Sequence, residues 1–98
     1  PDRPFTPGQE IAGTVSRCGT GCDLAPGTRV AGKVRWGGFA EYAVLRSDMA
    51  IAVPDGIDPV HAVALPVVYT TALVALVEEA GMKEGDTVLI HAAAGGVG

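Results

Sequence analysis

Apolar and polar positions alternate through the first half of the chain. In Gln9-Glu10-Ile11-Ala12-Gly13-Thr14-Val15, apolar residues alternate with polar or small ones, the period of a half-buried strand. A Gly-rich loop follows and ends in Ala25-Pro26-Gly27, a turn signal. Thr28-Arg29-Val30-Ala31 predicts a short second strand. Trp36-Gly37-Gly38 then turns into Phe39-Ala40-Glu41-Tyr42-Ala43-Val44-Leu45, where period-two spacing puts Phe39, Glu41, Ala43 and Leu45 on one face of a third. Met49-Ala50-Ile51-Ala52-Val53 predicts a fourth, stopped by Pro54-Asp55-Gly56. Short strands at this spacing, punctuated by Gly and Pro, predict a barrel or sandwich over residues 1–58.

The pattern changes at Asp58-Pro59. Asp58 is a helix cap and Pro59 suits the first helical position. His61 to Leu65 is the expected short helix. A second helix is expected from Pro66 to Glu79 or Ala80, with Gly81 as its stop. Its apolar residues lie on nearly every side, which predicts burial all round, between two domains. Lys83-Glu84-Gly85-Asp86 is a turn, and Thr87-Val88-Leu89-Ile90 reads as a buried strand.

That strand runs straight into His91-Ala92-Ala93-Ala94-Gly95-Gly96-Val97-Gly98. An apolar strand followed by small residues and glycines is how a dinucleotide-binding fold begins. The glycines permit a tight turn and close approach of backbone to a pyrophosphate, and a helix N-terminus then receives the negative charge. The candidate cofactor-binding residues are Ala94, Gly95, Gly96, Val97 and Gly98. The residue that selects between NADH and NADPH is expected about 20 positions further on. Because the chain opens without Met and closes inside this motif, it is read as an internal fragment spanning parts of two domains, 1–58 and 59–98.

Composition narrows the choice. Apolar residues make up 48% of the 98, too many for a disordered chain. The net charge is −4 and the seven Lys and Arg are dispersed, so neither nucleic acid nor an anionic membrane is an expected partner. The stretch Val60 to Val77 approaches membrane-span length, but His61, Pro66, Tyr69, Thr70 and Thr71 within it favour a buried helix of a soluble protein. Without a signal peptide a reducing, cytoplasmic compartment is expected. Cys18 and Cys22 are accordingly read as free thiols, with a short-loop disulfide as the alternative. No further Cys or His lies near enough in sequence to complete a zinc site.

Three ordered segments resemble the medium-chain dehydrogenase/reductase superfamily. They are Pro7-Gly8-Gln9-Glu10-Ile11-Ala12-Gly13-Thr14-Val15 with Pro26-Gly27-Thr28-Arg29-Val30, then Gly37-Gly38-Phe39-Ala40-Glu41-Tyr42, then residues 85–98. The chain is most similar to the zinc-independent quinone oxidoreductase branch, and Leu65-Pro66-Val67-Val68-Tyr69-Thr70-Thr71-Ala72-Leu73 is similar to polyketide synthase enoyl reductase domains. The resemblance implies an α/β fold with a GroES-like β barrel, 1–58, and the start of a Rossmann domain with its doubly wound parallel sheet, 59–98, truncated. It implies NADPH as cofactor, a quinone or enone as small-molecule substrate and a homodimer at full length. Thr71 would meet the nicotinamide carboxamide. The proton-donating or substrate-orienting Tyr or Asn lies before residue 1 in such enzymes, so no catalytic residue is assigned and the fragment alone is expected to be inactive.

Zinc alcohol dehydrogenases read Gly-His-Glu where this chain has Gly8-Gln9-Glu10, and a neutral amide is a poor zinc ligand. The matching thiolate position falls near Val67, and the four-cysteine zinc lobe is missing. The resemblance therefore implies hydride transfer without a metal. Two alternatives remain: an enoyl reductase domain acting on a carrier-bound enoyl thioester, and a non-catalytic nucleotide-binding member of the superfamily. Among the other residues, Glu10 is expected either near the cleft or paired with Arg29 or Arg35. His91 is expected to pack at a strand end, His61 to lie at the surface, and Tyr69 to be a core aromatic. Phe5 and Trp36 are expected to pack in the core or against loops.

Overall fold

The computed structural model describes residues 3–98. They form two compact units, one running to Pro66 and the other from Val67 to Gly98.

The first unit is built on three antiparallel strands in the order β1 (Glu10–Thr14), β2 (Arg29–Lys33) and β3 (Ala50–Ala52). Ala31 on the central strand pairs with Ala12 on one side and Ile51 on the other. β2 carries most of the burial, because only the central strand has neighbours on both edges; Val30, Ala31 and Gly32 are all buried. Gly32 is required here. A Cβ at this position would lie 2.7 Å from both the Leu45 side chain and the Met49 carbonyl, so Leu45 and the chain entering β3 press directly onto the strand.

Between β1 and β2 the ladder is extended by Val15 N–H donating to Thr28 O at 2.9 Å. Pro26-Gly27 then makes the turn its sequence predicts. Gly27 has φ +88 and Thr28 N–H donates to Ala25 O at 3.1 Å, the pattern of a type II turn. After β3 the chain reaches a four-residue helix, α1 (Pro59–Ala62). The Asp58 carboxylate accepts from Val60 N–H at 2.7 Å and Pro59 occupies the first turn, as expected from the sequence. Ala62 is fully buried against Ala31 and Val53, with Ala12, Ile57 and Leu65 packed around them. Arg29 fastens this corner: its guanidinium donates to Ile57 O and, at 3.4 Å, to Pro54 O.

Residues 39–45 do not form the expected strand. They run through bends, and Phe39, Tyr42 and Val44 are 75%, 80% and 93% exposed. Alternation is necessary for a half-buried strand but not sufficient; the backbone also needs a ladder beside it. Residues 47–49, expected in part to open the last strand, make a 3-10 turn, and β3 starts at Ala50.

Helical structure continues from Leu65 to Glu79. A π-helical turn (Leu65–Tyr69) leads to α2 (Thr70–Leu73), and a second π turn (Val74–Glu79) follows. Pro66 has no N–H to donate and its ring crowds the carbonyl four residues earlier, which favours a shifted hydrogen-bond register. Gly81, at φ +63, ends the helix as predicted. The expected burial is not observed. No residue between Leu65 and Glu79 is buried, and Tyr69 and Leu73 are 65% and 57% exposed. The described residues supply no second layer over it. By length and composition alone, Pro59–Glu79 is long and apolar enough to cross a membrane.

Lys83 to Asp86 makes the predicted turn, with Gly85 at φ +92 and Lys83 N–H donating to the Asp86 carboxylate at 2.7 Å. Residues 87–90 are not a strand, and Leu89 is 82% exposed. A parallel strand depends on neighbours from distant parts of a chain, and none of the described residues pairs with it.

Candidate functional site

Each predicted cofactor-binding residue lies in the second unit. Thr71 sits in α2 and is exposed. Ala94, Gly95, Gly96, Val97 and Gly98 form an exposed loop after the extended run 87–90. A turn over residues 91–94 carries the chain into it, closed by Gly95 N–H donating to Ala92 O at 2.8 Å. The positive φ falls at Ala92, at 52°, and not at the glycines. The three glycines differ in the space around them. A Cβ on Gly96 would meet nothing within 4 Å, whereas one on Gly98 would strike the Ala93 Cα at 2.5 Å. Gly98 is needed by the turn itself. Gly96 is exposed, with open space where a Cβ would stand. His91, expected to pack at a strand end, is instead exposed in the turn because no sheet covers it. Tyr69, expected in a core, is also exposed, whereas His61 lies at the surface as expected.

The first unit contributes a groove of about 1260 Å³. β1, the β1–β2 loop and the bends at 38–45 line it, including Glu10, Cys18, Cys22, Phe39 and Tyr42. Two glycines set a close crossing of the chain beside it. Gly8 has φ +100 and a Cβ there would lie 2.6 Å from Phe39 N; one on Gly38 would lie 2.9 Å from Glu10 O. Gly38 N–H donates to Gly8 O, and Phe39 N–H to Pro7 O, each at 3.0 Å. This crossing was not identified from sequence, although the paired glycines at 8 and 37–38 were its signal. Beside it, Glu10 is half-buried and its Oε1 is buried with no hydrogen-bond partner among the described residues. Of the two alternatives for Glu10, it lines the groove, and Arg29 instead donates to the carbonyls of Pro54 and Ile57. Phe5 and Trp36 pack edge to face at 5.9 Å, as loop aromatics.

The two cysteines correct another expectation. Cys18 and Cys22 are joined in a disulfide and are not free thiols. The loop brings their Cα atoms to 5.7 Å, inside the range for such a bond. Among the described residues, no three His, Cys, Asp or Glu side chains come together in a way that would hold a metal ion, and Gln9 is exposed.

Residues 1–55 match the alcohol dehydrogenase GroES-like domain. The chain belongs to this family. It is 39% identical to a quinone oxidoreductase of Sus scrofa over 97 residues, covering 97% of the chain and 30% of that protein. It is 49% identical to an erythronolide synthase of Saccharopolyspora erythraea over 92 residues, 93% of the chain and 3% of that protein. The crystal structure of human synaptic vesicle membrane protein VAT-1 homolog-like protein superposes with a TM-score of 0.92 at 35% identity, over 99% of the chain and 32% of that structure. A probable oxidoreductase from Mycobacterium abscessus gives the same TM-score, also at 35% identity, over 98% of the chain and 31% of its own. The chain thus spans about a third or less of the proteins it matches. These likenesses place it among the medium-chain dehydrogenase/reductases, with the GroES-like portion of that fold carrying a small antiparallel sheet.

Proposed function

We propose that this chain is part of an NADPH-dependent oxidoreductase that passes hydride to a quinone or an α,β-unsaturated carbonyl without zinc. The observation that carries the reading is the similarity of the chain to quinone oxidoreductases over nearly its whole length, 39% identity across 97 residues, and the glycine-rich run at 94–98 is its candidate cofactor loop. Thr71 and residues 94–98 are the chain's candidates for holding a nicotinamide dinucleotide. The backbone of Ala94 to Gly98 would receive the pyrophosphate, and the Thr71 hydroxyl would meet the nicotinamide carboxamide. When bound, the dinucleotide supplies the hydride. The chain's own contribution is to bind and orient it. An enone or quinone is already electrophilic, so the poor zinc donor set is compatible with this chemistry. No residue of the chain is assigned a proton-transfer role. The full-length protein is expected to be homodimeric and cytoplasmic.

A second reading has an observation of its own: 49% identity to the erythronolide synthase. There the substrate would be an enoyl thioester on a carrier protein. One assay separates the readings. NADPH oxidation by the full-length protein is followed with a 1,4-quinone, a simple enone and a carrier-bound enoyl thioester, before and after dialysis against a chelator. Turnover of the free acceptors that survives dialysis supports the first reading. Turnover of the thioester alone supports the second. No turnover with any acceptor, with NADPH still bound, would mark a non-catalytic nucleotide-binding member and overturn both.

A further inference from the structure

The loop between β1 and β2 carries both cysteines of the chain, and it is built to bring them together. Val15 N–H to Thr28 O and Gly27 N–H to Val15 O, at 2.9 and 2.8 Å, hold its base. At its tip Gly21 has φ +78 and Cys22 N–H donates to Gly19 O at 3.3 Å, which reverses the chain between the two sulfurs. The Cα atoms lie 5.7 Å apart, inside the range for a disulfide.

Two observations argue against a purely structural bond. A cross-link four residues apart in sequence closes a very short loop, which removes the least entropy from the unfolded chain. The core of the unit (Val30, Ala31, Val34, Val53, Ala62) contains no loop residue, so the sheet does not depend on it. Two others point to a reactive site. Both cysteines are only half-buried, and both line the wall of the groove. Thiol–disulfide exchange requires such access.

We propose that Cys18 and Cys22 form a reversible dithiol–disulfide site on the groove wall, exchanging with small-molecule disulfides of the glutathione type. The thiolate of one cysteine attacks the small-molecule disulfide and releases one small thiol. The second cysteine then attacks the mixed disulfide, forms the Cys18–Cys22 bond and releases the other. Two electrons and two protons leave the protein dithiol; the small-molecule disulfide is reduced to two thiols. In the oxidised state residues 16–24 are a fixed wall of the groove, and in the reduced state that wall is loosened. The proposal is independent of the oxidoreductase reading.

The full-length protein is equilibrated in mixtures of reduced and oxidised glutathione, trapped with iodoacetamide and read by peptide mass. Cys18 and Cys22 should gain and lose both alkyl groups together, through an intramolecular link. Hydrogen exchange of residues 16–24 should be roughly tenfold faster in the reduced protein, while the β1–β2 ladder amides stay protected. Cys18→Ser should trap a glutathione adduct on Cys22. The proposal is overturned if the pair stays alkylatable in excess oxidised glutathione, or links between chains. It is equally overturned if reduction releases the β1–β2 ladder, which would make the bond structural.

Discussion

Replacing Gly8 with Ala tests the crossing of residues 7–8 with residues 38–39. Gly8 has φ +100, a conformation that costs a residue with a Cβ on the order of 1–3 kcal/mol. The added methyl would also sit 2.6 Å from Phe39 N, 2.7 Å from Phe39 Cδ1 and 2.9 Å from Gly38 C. Two of those three atoms are backbone, so a rotamer change does not relieve the overlap; the two segments must separate. Separation stretches the bonds from Gly38 N–H to Gly8 O and from Phe39 N–H to Pro7 O, both 3.0 Å. At about 0.5–1.5 kcal/mol each, these bring the total to about 2–6 kcal/mol, of which about 3 kcal/mol is a conservative value once partial relaxation is allowed. Urea unfolding of the full-length protein is the assay. With an m-value near ~2 kcal/mol/M, the transition reporting on the first unit should move down by about 1.5 M. Gly13→Ala is the control, because its Cβ would meet nothing within 4 Å and its φ is not positive; its midpoint should hold or rise slightly. A Gly8→Ala midpoint within error of wild type would refute the reasoning, since neither the strain nor the overlap could then be real.

Three further outcomes follow from the same geometry. Arg29→Met should cost about 1.5–3 kcal/mol in chemical denaturation, because it leaves the Ile57 carbonyl without its charged donor. Asp58→Ala should cost about 0.5–2 kcal/mol through loss of the cap on Val60 N–H, and Asp58→Asn much less. Elemental analysis of the full-length protein should find substoichiometric zinc, given Gln9 and the lack of a three-donor cluster among the described residues; one zinc per chain required for activity would contradict it.

Local signals were legible in the sequence, and long-range ones were not. Asp58-Pro59 capped its helix and Pro26-Gly27 made its turn, because each is decided by the residue and its immediate neighbours. β1, β2 and β3 formed where alternation placed them, each beside a partner within the chain. Residues 39–45 and 87–90 carry equally good patterns and are not strands, since a ladder needs a partner that the pattern does not name. The same limit explains Leu65 to Glu79, whose apolar faces correctly predicted a helix but found no layer to bury them. At the candidate site, the small-residue run at 92–98 was readable as an open loop. Which residue takes the positive φ was not, and it is Ala92. Nor did spacing reveal that Arg29 would bind carbonyls and leave Glu10 alone, or that the loop would close Cys18 onto Cys22.

The central claim is that the turn at 91–98 receives a nicotinamide dinucleotide. NADPH titration of the full-length protein and of its Gly96→Val variant tests it most directly. Among the described residues a Cβ added at Gly96 would meet nothing within 4 Å, and the residue has no positive φ, so valine is unstrained there; unfolding of the full-length variant, measured alongside, separates a folding defect from lost binding. The account predicts that binding weakens by at least about tenfold, or ~1.4 kcal/mol, with unfolding unchanged. A folded Gly96→Val protein that binds NADPH as tightly as wild type would contradict it, and the glycines would then be an ordinary turn.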